Sequence, residues 1–186
     1  MEDESKQPTV LLVDDEPNIL ELFEIFLEDE YSILTASNGD EALDVLSAEI
    51  DVVLLDRRMP STSGEEVLHA IRNQGYEMPV GMVTGIDPGM DIVDMPFDDY
   101  LTKPVDAATL QRTVQLLVIR SRFDSKSRAY FSLASKKANI ENEFENPQDH
   151  EEYISLRSEM KALRNEINDT ILSLVDTNEE VSYLLH

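Results

Sequence analysis

Hydrophobic residues fall into two rhythms along the first two thirds of the chain. Unbroken aliphatic runs are the first, in Thr9-Val10-Leu11-Leu12-Val13 and in Val52-Val53-Leu54-Leu55. A run with no polar residue at alternate positions reads as a strand buried on both faces, as at the centre of a parallel sheet. Ser32 to Ala36, Met78 to Thr84 and Asp99 to Thr102 are weaker strands of the same kind. Between the runs, apolar residues recur every three or four positions, the rhythm of an amphipathic helix. The first helix carries Ile19, Leu20, Leu22, Phe23, Phe26 and Leu27 inward, with Asp15 or Glu16 as its cap and Pro17 in its first turn. Asn38-Gly39 turns into a second, with Ala42, Leu43, Val45 and Leu46 inward. Gly64 leads to a third through Val67, Leu68 and Ile71, stopped near Asn73 to Gly75. The fourth is eroded: Gly85, Pro88, Gly89 and Pro96 leave only about Asp91 to Met95 for a helix. Asp106 or Thr109 opens the last, through Leu110, Val114, Leu117 and Val118.

Strand and helix thus alternate five times. That order predicts an α/β fold, a doubly wound five-stranded parallel sheet. Right-handed crossovers then bring the carboxyl ends of all strands to one edge, where ligands bind in such sheets. Asp14 and Asp15 follow the first strand and Asp56 the third; Thr84 ends the fourth and Lys103 follows the fifth. Taken singly, an acid after a strand is ordinary in so acidic a chain. Gathered, three carboxylates repel one another and become tolerable around a hard divalent cation such as Mg²⁺. A cation that draws phosphate oxygens toward Asp56 lets it act as a nucleophile and form an acyl phosphate. Lys103 supplies a point charge for a phosphoryl oxygen, and the Thr84 hydroxyl a donor.

Composition narrows the setting. Asp and Glu number 39 against 15 Lys and Arg, a net charge of -24. Such a field repels nucleic acid and anionic membrane except where a basic patch offsets it. It also suits high salt, where repulsion is screened within a few Å. A halophilic source is the expectation; stability in molar KCl with unfolding at low salt is the behaviour to look for, and indifference to salt refutes it. There is no cysteine, hence no disulfide or thiolate site, and no apolar run long enough to cross a membrane. The polar stretch Met1 to Pro8 is unlike a signal peptide, so a cytoplasmic location with no membrane partner is expected.

As a set, Asp14-Asp15, Asp56 with Met59-Pro60, Thr84 and Lys103-Pro104 on five β-α units resemble the receiver domain of two-component response regulators, over residues 8–120. The resemblance implies a flavodoxin-like receiver with Asp56 as phosphoacceptor. It implies Mg²⁺ held by Asp14, Asp15, Asp56 and the backbone carbonyl of Arg58. Lys103 would contact the phosphoryl group, Thr84 would be the switch hydroxyl, and Tyr100 the coupled aromatic. The implied donor is a sensor histidine kinase or a small acyl phosphate. Gly85 stands where the family usually has alanine, and Arg57-Arg58 is unusually basic; surface pairing with nearby acids is the expected use of those arginines.

After Val118 the chain changes character. Arg120, Arg122, Lys126, Arg128, Lys136 and Lys137 are opposed only by Asp124. Arg122, Lys126, Arg128, Lys136 and Lys137 are the candidates for contact with nucleic acid or a partner; a solvated helix face docked on the acidic half is the plainer alternative. Asn146-Pro147 is a break, and a long helix follows from about Gln148. Tyr153, Leu156, Met160, Leu163, Ile167 and Leu174, with Thr170 between, fit a heptad seam. Its partner is either the first half of the tail or a second subunit, as a homodimer. Residues 121–186 are thus expected to form a small all-α domain. The stretch Tyr130 to Ala138 followed by a polar break and a heptad helix resembles the HalX domain appended to receivers in haloarchaea.

Two functions follow. One is a response regulator, phosphorylated on Asp56, that regulates transcription through its helical tail and contacts DNA or the transcription machinery. The other is a phosphorylation-switched interaction module that binds no DNA. A phosphohydrolase would want a second acid two residues beyond Asp56 for acid/base work, and Arg58 stands there. An enzyme acting on other substrates is therefore not expected.

Overall fold

The computed structural model describes residues 7–85, 95–143 and 146–184, with side chains to residue 141 in one long helix and to 172 in the other. The chain divides into two compact units after Val118.

In the first unit, β1 (Thr9–Val13), β2 (Ser32–Ala36), β3 (Val52–Leu55), β4 (Val80–Thr84) and β5 (Asp99–Thr102) form one parallel sheet in the order β2-β1-β3-β4-β5. The helices between them are α1 (Pro17–Leu27), α2 (Gly39–Val45) and α3 (Gly64–Asn73). Alternation along the strands explains the unbroken aliphatic runs. Val10, Leu12, Val52 and Leu54 pack with Phe23 and Leu27 of α1 and with Leu110, Val114 and Leu117. Leu11, Val13, Val53 and Leu55 pack on the other face with Ala42, Val67, Leu68 and Ile71 of α2 and α3. Each such side chain, nearly free of solvent, contributes about 1.5–3 kcal/mol.

Four details correct the expectations. Leu22 of α1 is 40% exposed and Val45 of α2 39%, so neither belongs to the inward face; an 11-residue helix on a sheet covers a narrower stripe than its apolar content suggests. Leu46 lies beyond the end of α2. Glu16 sits at the N-cap of α1, but neither it nor Asp15 caps with its side chain; the Glu16 amide instead donates to Asp14 Oδ1 at 3.0 Å. Met78 and Pro79 precede β4, Pro79 giving only its carbonyl, to the Val53 amide at 3.0 Å. The weak fourth helix lies, apart from Met95, outside the described residues.

The turn at Asn38-Gly39 opens a helix as expected, and further side-chain bonds secure the neighbouring elements. Asn38 caps α2 by accepting the Glu41 amide. Ser63 and Glu66 form a capping box at α3, and the Ser63 amide and hydroxyl hold the Glu66 carboxyl below its usual range. Arg72 leaves α3 to donate to the Tyr76, Met78 and Pro96 carbonyls and to pair with Asp98 at 2.9 Å. Asp98 also accepts the Val80 amide at 2.8 Å, so one guanidinium ties together the approaches to β4 and β5.

α4 runs from Ala107 to Glu143, through the boundary expected near residue 120. No glycine or proline interrupts that stretch, so no local signal stops the helix. Asp106 accepts the Thr109 amide and hydroxyl, both at 2.9 Å, at its start. In the second unit a short 3₁₀ turn at Pro147–Asp149 reverses the chain into α5 (Glu151–Leu184). Lys126 pairs with Glu166 at 3.1 Å, and the Tyr153 hydroxyl meets Glu141 at 2.5 Å. The two helices are therefore antiparallel. The heptad seam faces inward within the chain: Tyr153 is buried, and Leu156, Met160, Leu163, Ile167 and Thr170 are half-buried between exposed neighbours. The Leu174 side chain is outside the described residues.

Candidate functional site

The register of the sheet positions the site. Three residues that follow strands are each held by one more rung of the ladder: the Asp14 amide donates to the Ala36 carbonyl at 3.1 Å, Asp56 to Val13 at 2.8 Å, and Lys103 to Thr84 at 2.8 Å. Asp14, Asp56, Thr84 and Lys103 are thereby fixed at one edge by neighbouring backbone.

Asp14 is 3% exposed, Asp56 7% and Thr84 1%. Asp15 is half-buried. Asp14, Asp15 and Asp56 each offer an oxygen, all within 4.8 Å of one another. Lys103 compensates: its Nζ lies 2.6 Å from Asp14 Oδ2, 3.7 Å from Glu16 Oε1 and 3.8 Å from Asp56 Oδ1. Burial pushes the Asp56 carboxyl above the usual carboxylate range. Lys103 opposes the shift, the Asp14 charge adds to it, and the Thr84 hydroxyl and Arg57 amide pull it back.

The donor set fits a hard cation. It is all carboxylate oxygen, with no nitrogen or sulfur ligand, and its spacing lets three oxygens reach one ion at about 2.0–2.6 Å. Arg58 is exposed. The Arg57 guanidinium pairs with Glu65 of α3, at 2.6 Å from Nε and 2.5 Å from Nη2; the pairing with an acid was expected, but the side chain is only 12% exposed and so not at the surface. Tyr100 is half-buried, its ring 5.6 Å from that of Phe97 and tilted by 52°.

The tail candidates divide. Arg122, Arg128 and Lys136 lie on exposed positions of α4. Lys126 is tied to Glu166, and Lys137 to Glu141 at 2.7 Å. Sequence reading missed Arg157, Lys161 and Arg164, which line a groove of the hairpin with Lys137. Their signal was a spacing of four and three along α5, which carries meaning only once α4 lies beside it.

A parallel α/β sheet with this acidic edge, a buried threonine and a lysine defines the receiver class of protein. The chain belongs to the response regulator receiver domain family, whose sequence model matches residues 10–115, and it continues into a HalX domain over residues 119–184. It is 41% identical over 167 residues to a Haloferax volcanii protein provisionally named a transcriptional regulator, covering 89% of this chain and 29% of that one. It is 35% identical over 121 residues to the transcriptional regulatory protein CpxR of Escherichia coli K12, covering 63% of this chain and 52% of CpxR. The chain thus spans about half or less of the length of these relatives. Among solved structures, a response regulator receiver domain protein from Clostridium thermocellum is 32% identical with a TM-score of 0.57, covering 61% of this chain and 95% of that one. No described helix is long and apolar enough to cross a membrane.

Proposed function

We propose that this protein is a phosphorylation-switched regulator in which Asp56 is the phosphoacceptor and the helical tail carries the output to transcription. The observation that carries the reading is the convergence of Asp14, Asp15, Asp56, Thr84 and Lys103 at one sheet edge, with Asp56 buried at a strand end and Lys103 within 3.8 Å of it. An Asp56 carboxylate oxygen attacks phosphorus. The bond from phosphorus to the phosphohistidine nitrogen of a sensor kinase breaks, the imidazole leaves, and an acyl phosphate stands on Asp56. A small acyl phosphate serves as an alternative donor, losing its carboxylate instead.

Asp14, Asp15 and Asp56, with the backbone carbonyl of Arg58, would hold Mg²⁺. That ion supplies charge neutralisation at the transferring phosphoryl oxygens. Lys103, now shared among three carboxylates, turns part of its donor capacity to the phosphoryl group, and the Thr84 hydroxyl donates to another of its oxygens. These charge-assisted bonds favour one of two pre-existing loop arrangements, with Tyr100 following Thr84. The receiver acts only on its own phosphoryl group. The names of the relatives support a transcriptional output; a tail acting as an interaction or dimerisation module without DNA is the second reading.

The test is incubation of the full chain with acetyl phosphate and Mg²⁺, followed by peptide mass spectrometry. One acid-stable, base-labile phosphoryl group on Asp56, absent when the metal is chelated, is expected. Incorporation elsewhere, or none, overturns the reading.

A further inference from the structure

The hairpin of the second unit holds a groove of about 500 Å³ between α4 and α5. Its charged walls are Lys137, Arg157, Lys161 and Arg164, and its rings are Tyr130 and Tyr153. Among the described residues none that lines it is acidic, in a chain where Asp and Glu make up 39 of 186 residues. The sequence of α5 sharpens the anomaly. Arg157 and Lys161 are four apart, and Lys161 and Arg164 three apart, so they stack as like charges on one helix face. No Asp or Glu stands three or four positions from any of the three. Like-charge pairs at that spacing cost about 0.2–0.5 kcal/mol each. Lys161 and Arg164 have no ion-pair partner among the described residues, whereas Lys126 and Lys137 have Glu166 and Glu141. Glu141 answers Lys137 and Tyr153 at one end of the groove, but Lys161 and Arg164 stand beyond it, and a helix that concentrates such cations in a concave surface is arranged for an anionic ligand.

We infer that this groove binds the phosphate backbone of duplex DNA, with Arg157, Lys161 and Arg164 as its phosphate contacts. The inference rests on the transcriptional reading above and names the surface that reading requires. From residue 157 to residue 164 the helix rises about 10 Å, over which one strand of a duplex presents about three phosphates. Two guanidiniums offer forked donors to phosphate oxygens, and Lys161 sits between them as a point charge. The basic positions Arg122, Arg128 and Lys136 of α4 are exposed on the same unit and extend the local field. Against a net charge of -24, such a patch is what lets a polyanion approach at all.

The experiment uses the full chain and a fluorescent duplex of mixed sequence, with affinity measured by anisotropy across a salt series. The R157Q/K161Q/R164Q variant is expected to lose on the order of 500-fold at about 0.1 M salt, and the slope of log affinity on log salt to fall by about 2.7, at about 0.9 per lost phosphate contact. Replacing both arginines by lysine keeps that slope. The R122Q/R128Q variant, which weakens the surrounding field but removes no groove contact, loses less affinity than the triple variant. Circular dichroism serves as the folding control, since removing like charges leaves the helices intact. Unchanged affinity in the triple variant, loss only in R122Q/R128Q, or preference for a polyglutamate peptide over DNA overturns the inference; the last result assigns the groove to an acidic protein segment. Failure of wild type to bind either probe also overturns it. Asp56 labelling by acetyl phosphate on the same samples separates the cases: intact labelling with a groove indifferent to DNA rejects the groove and leaves the phosphoacceptor reading standing.

Discussion

Asp56→Asn is expected to bring phosphoryl incorporation from acetyl phosphate to background, a loss on the order of a thousandfold or more, as when other nucleophiles are removed. Asparagine matches aspartate in shape but has no carboxylate oxygen to attack phosphorus. The fold survives, because one of three mutually repelling carboxylates disappears while Lys103 keeps its 2.6 Å bond to Asp14. The melting temperature without metal therefore stays level or rises. Neighbouring acids differ in their ability to substitute. Asp14 has both oxygens engaged, Oδ1 by the Glu16 amide at 3.0 Å and Oδ2 by Lys103. Asp15 is half-buried at the same edge and is the residue to watch. Label that moves to Asp15 at wild-type yield would mean that the edge is a generic acidic cluster, not a built phosphoacceptor site. Phosphopeptide mapping of the variant decides between them.

The acidic edge was legible because its logic is topological. β1 and β3 are too aliphatic to be anything but central strands, and whatever follows such strands lies at the carboxyl edge. Asp14, Asp56 and Lys103 needed no tertiary information beyond that rule. The same rule carries no information about how a lysine divides itself among acids. That Lys103 sits on Asp14 and 1.2 Å farther from Asp56 depends on side-chain packing.

Helix faces were less legible. Leu22 and Val45 have the right spacing to point inward, yet the sheet surface each helix covers is narrower than its apolar stripe. In the tail the position is reversed. The heptad seam was read residue by residue, because a seam is a property of one helix. The groove was not, because it belongs to two helices whose antiparallel pairing no local signal states. The length of α4 was hidden for a related reason: composition changes near Val118, but composition does not end a helix in the absence of glycine, proline or a cap.

Gly64→Ala carries the second large effect. Gly64 opens α3, and its amide donates to the Arg57 carbonyl at 3.0 Å. A Cβ built there stands 2.0 Å from the Asp56 carbonyl oxygen, 2.9 Å from its carbonyl carbon and 3.0 Å from the Arg57 Cα. All three are backbone atoms at the end of β3, so no side chain can turn aside to make room. Either α3 moves outward, opening the packing of Val67, Leu68 and Ile71, or the carbonyl of the phosphoacceptor itself is displaced. Overpacking of this kind costs about 1–3 kcal/mol and more where backbone must move; about 3 kcal/mol or more is expected here, a fall of roughly 10 °C in the melting temperature. Labelling of Asp56 falls with it, because the residue and its 2.8 Å rung to Val13 shift together. Gly85→Ala is the matched comparison. It follows Thr84, another residue of the site, but a Cβ there meets no described residue within 4 Å. Its stability is expected to stay within about 1 kcal/mol of wild type, with the entropic effect favouring alanine, which restricts the unfolded chain more than glycine does. Calorimetry on the two variants separates close approach from mere proximity to the site. Equal melting temperatures for Gly64→Ala and wild type would show that the turn from β3 into α3 yields, and that the position of Asp56 is not set by the glycine beside it.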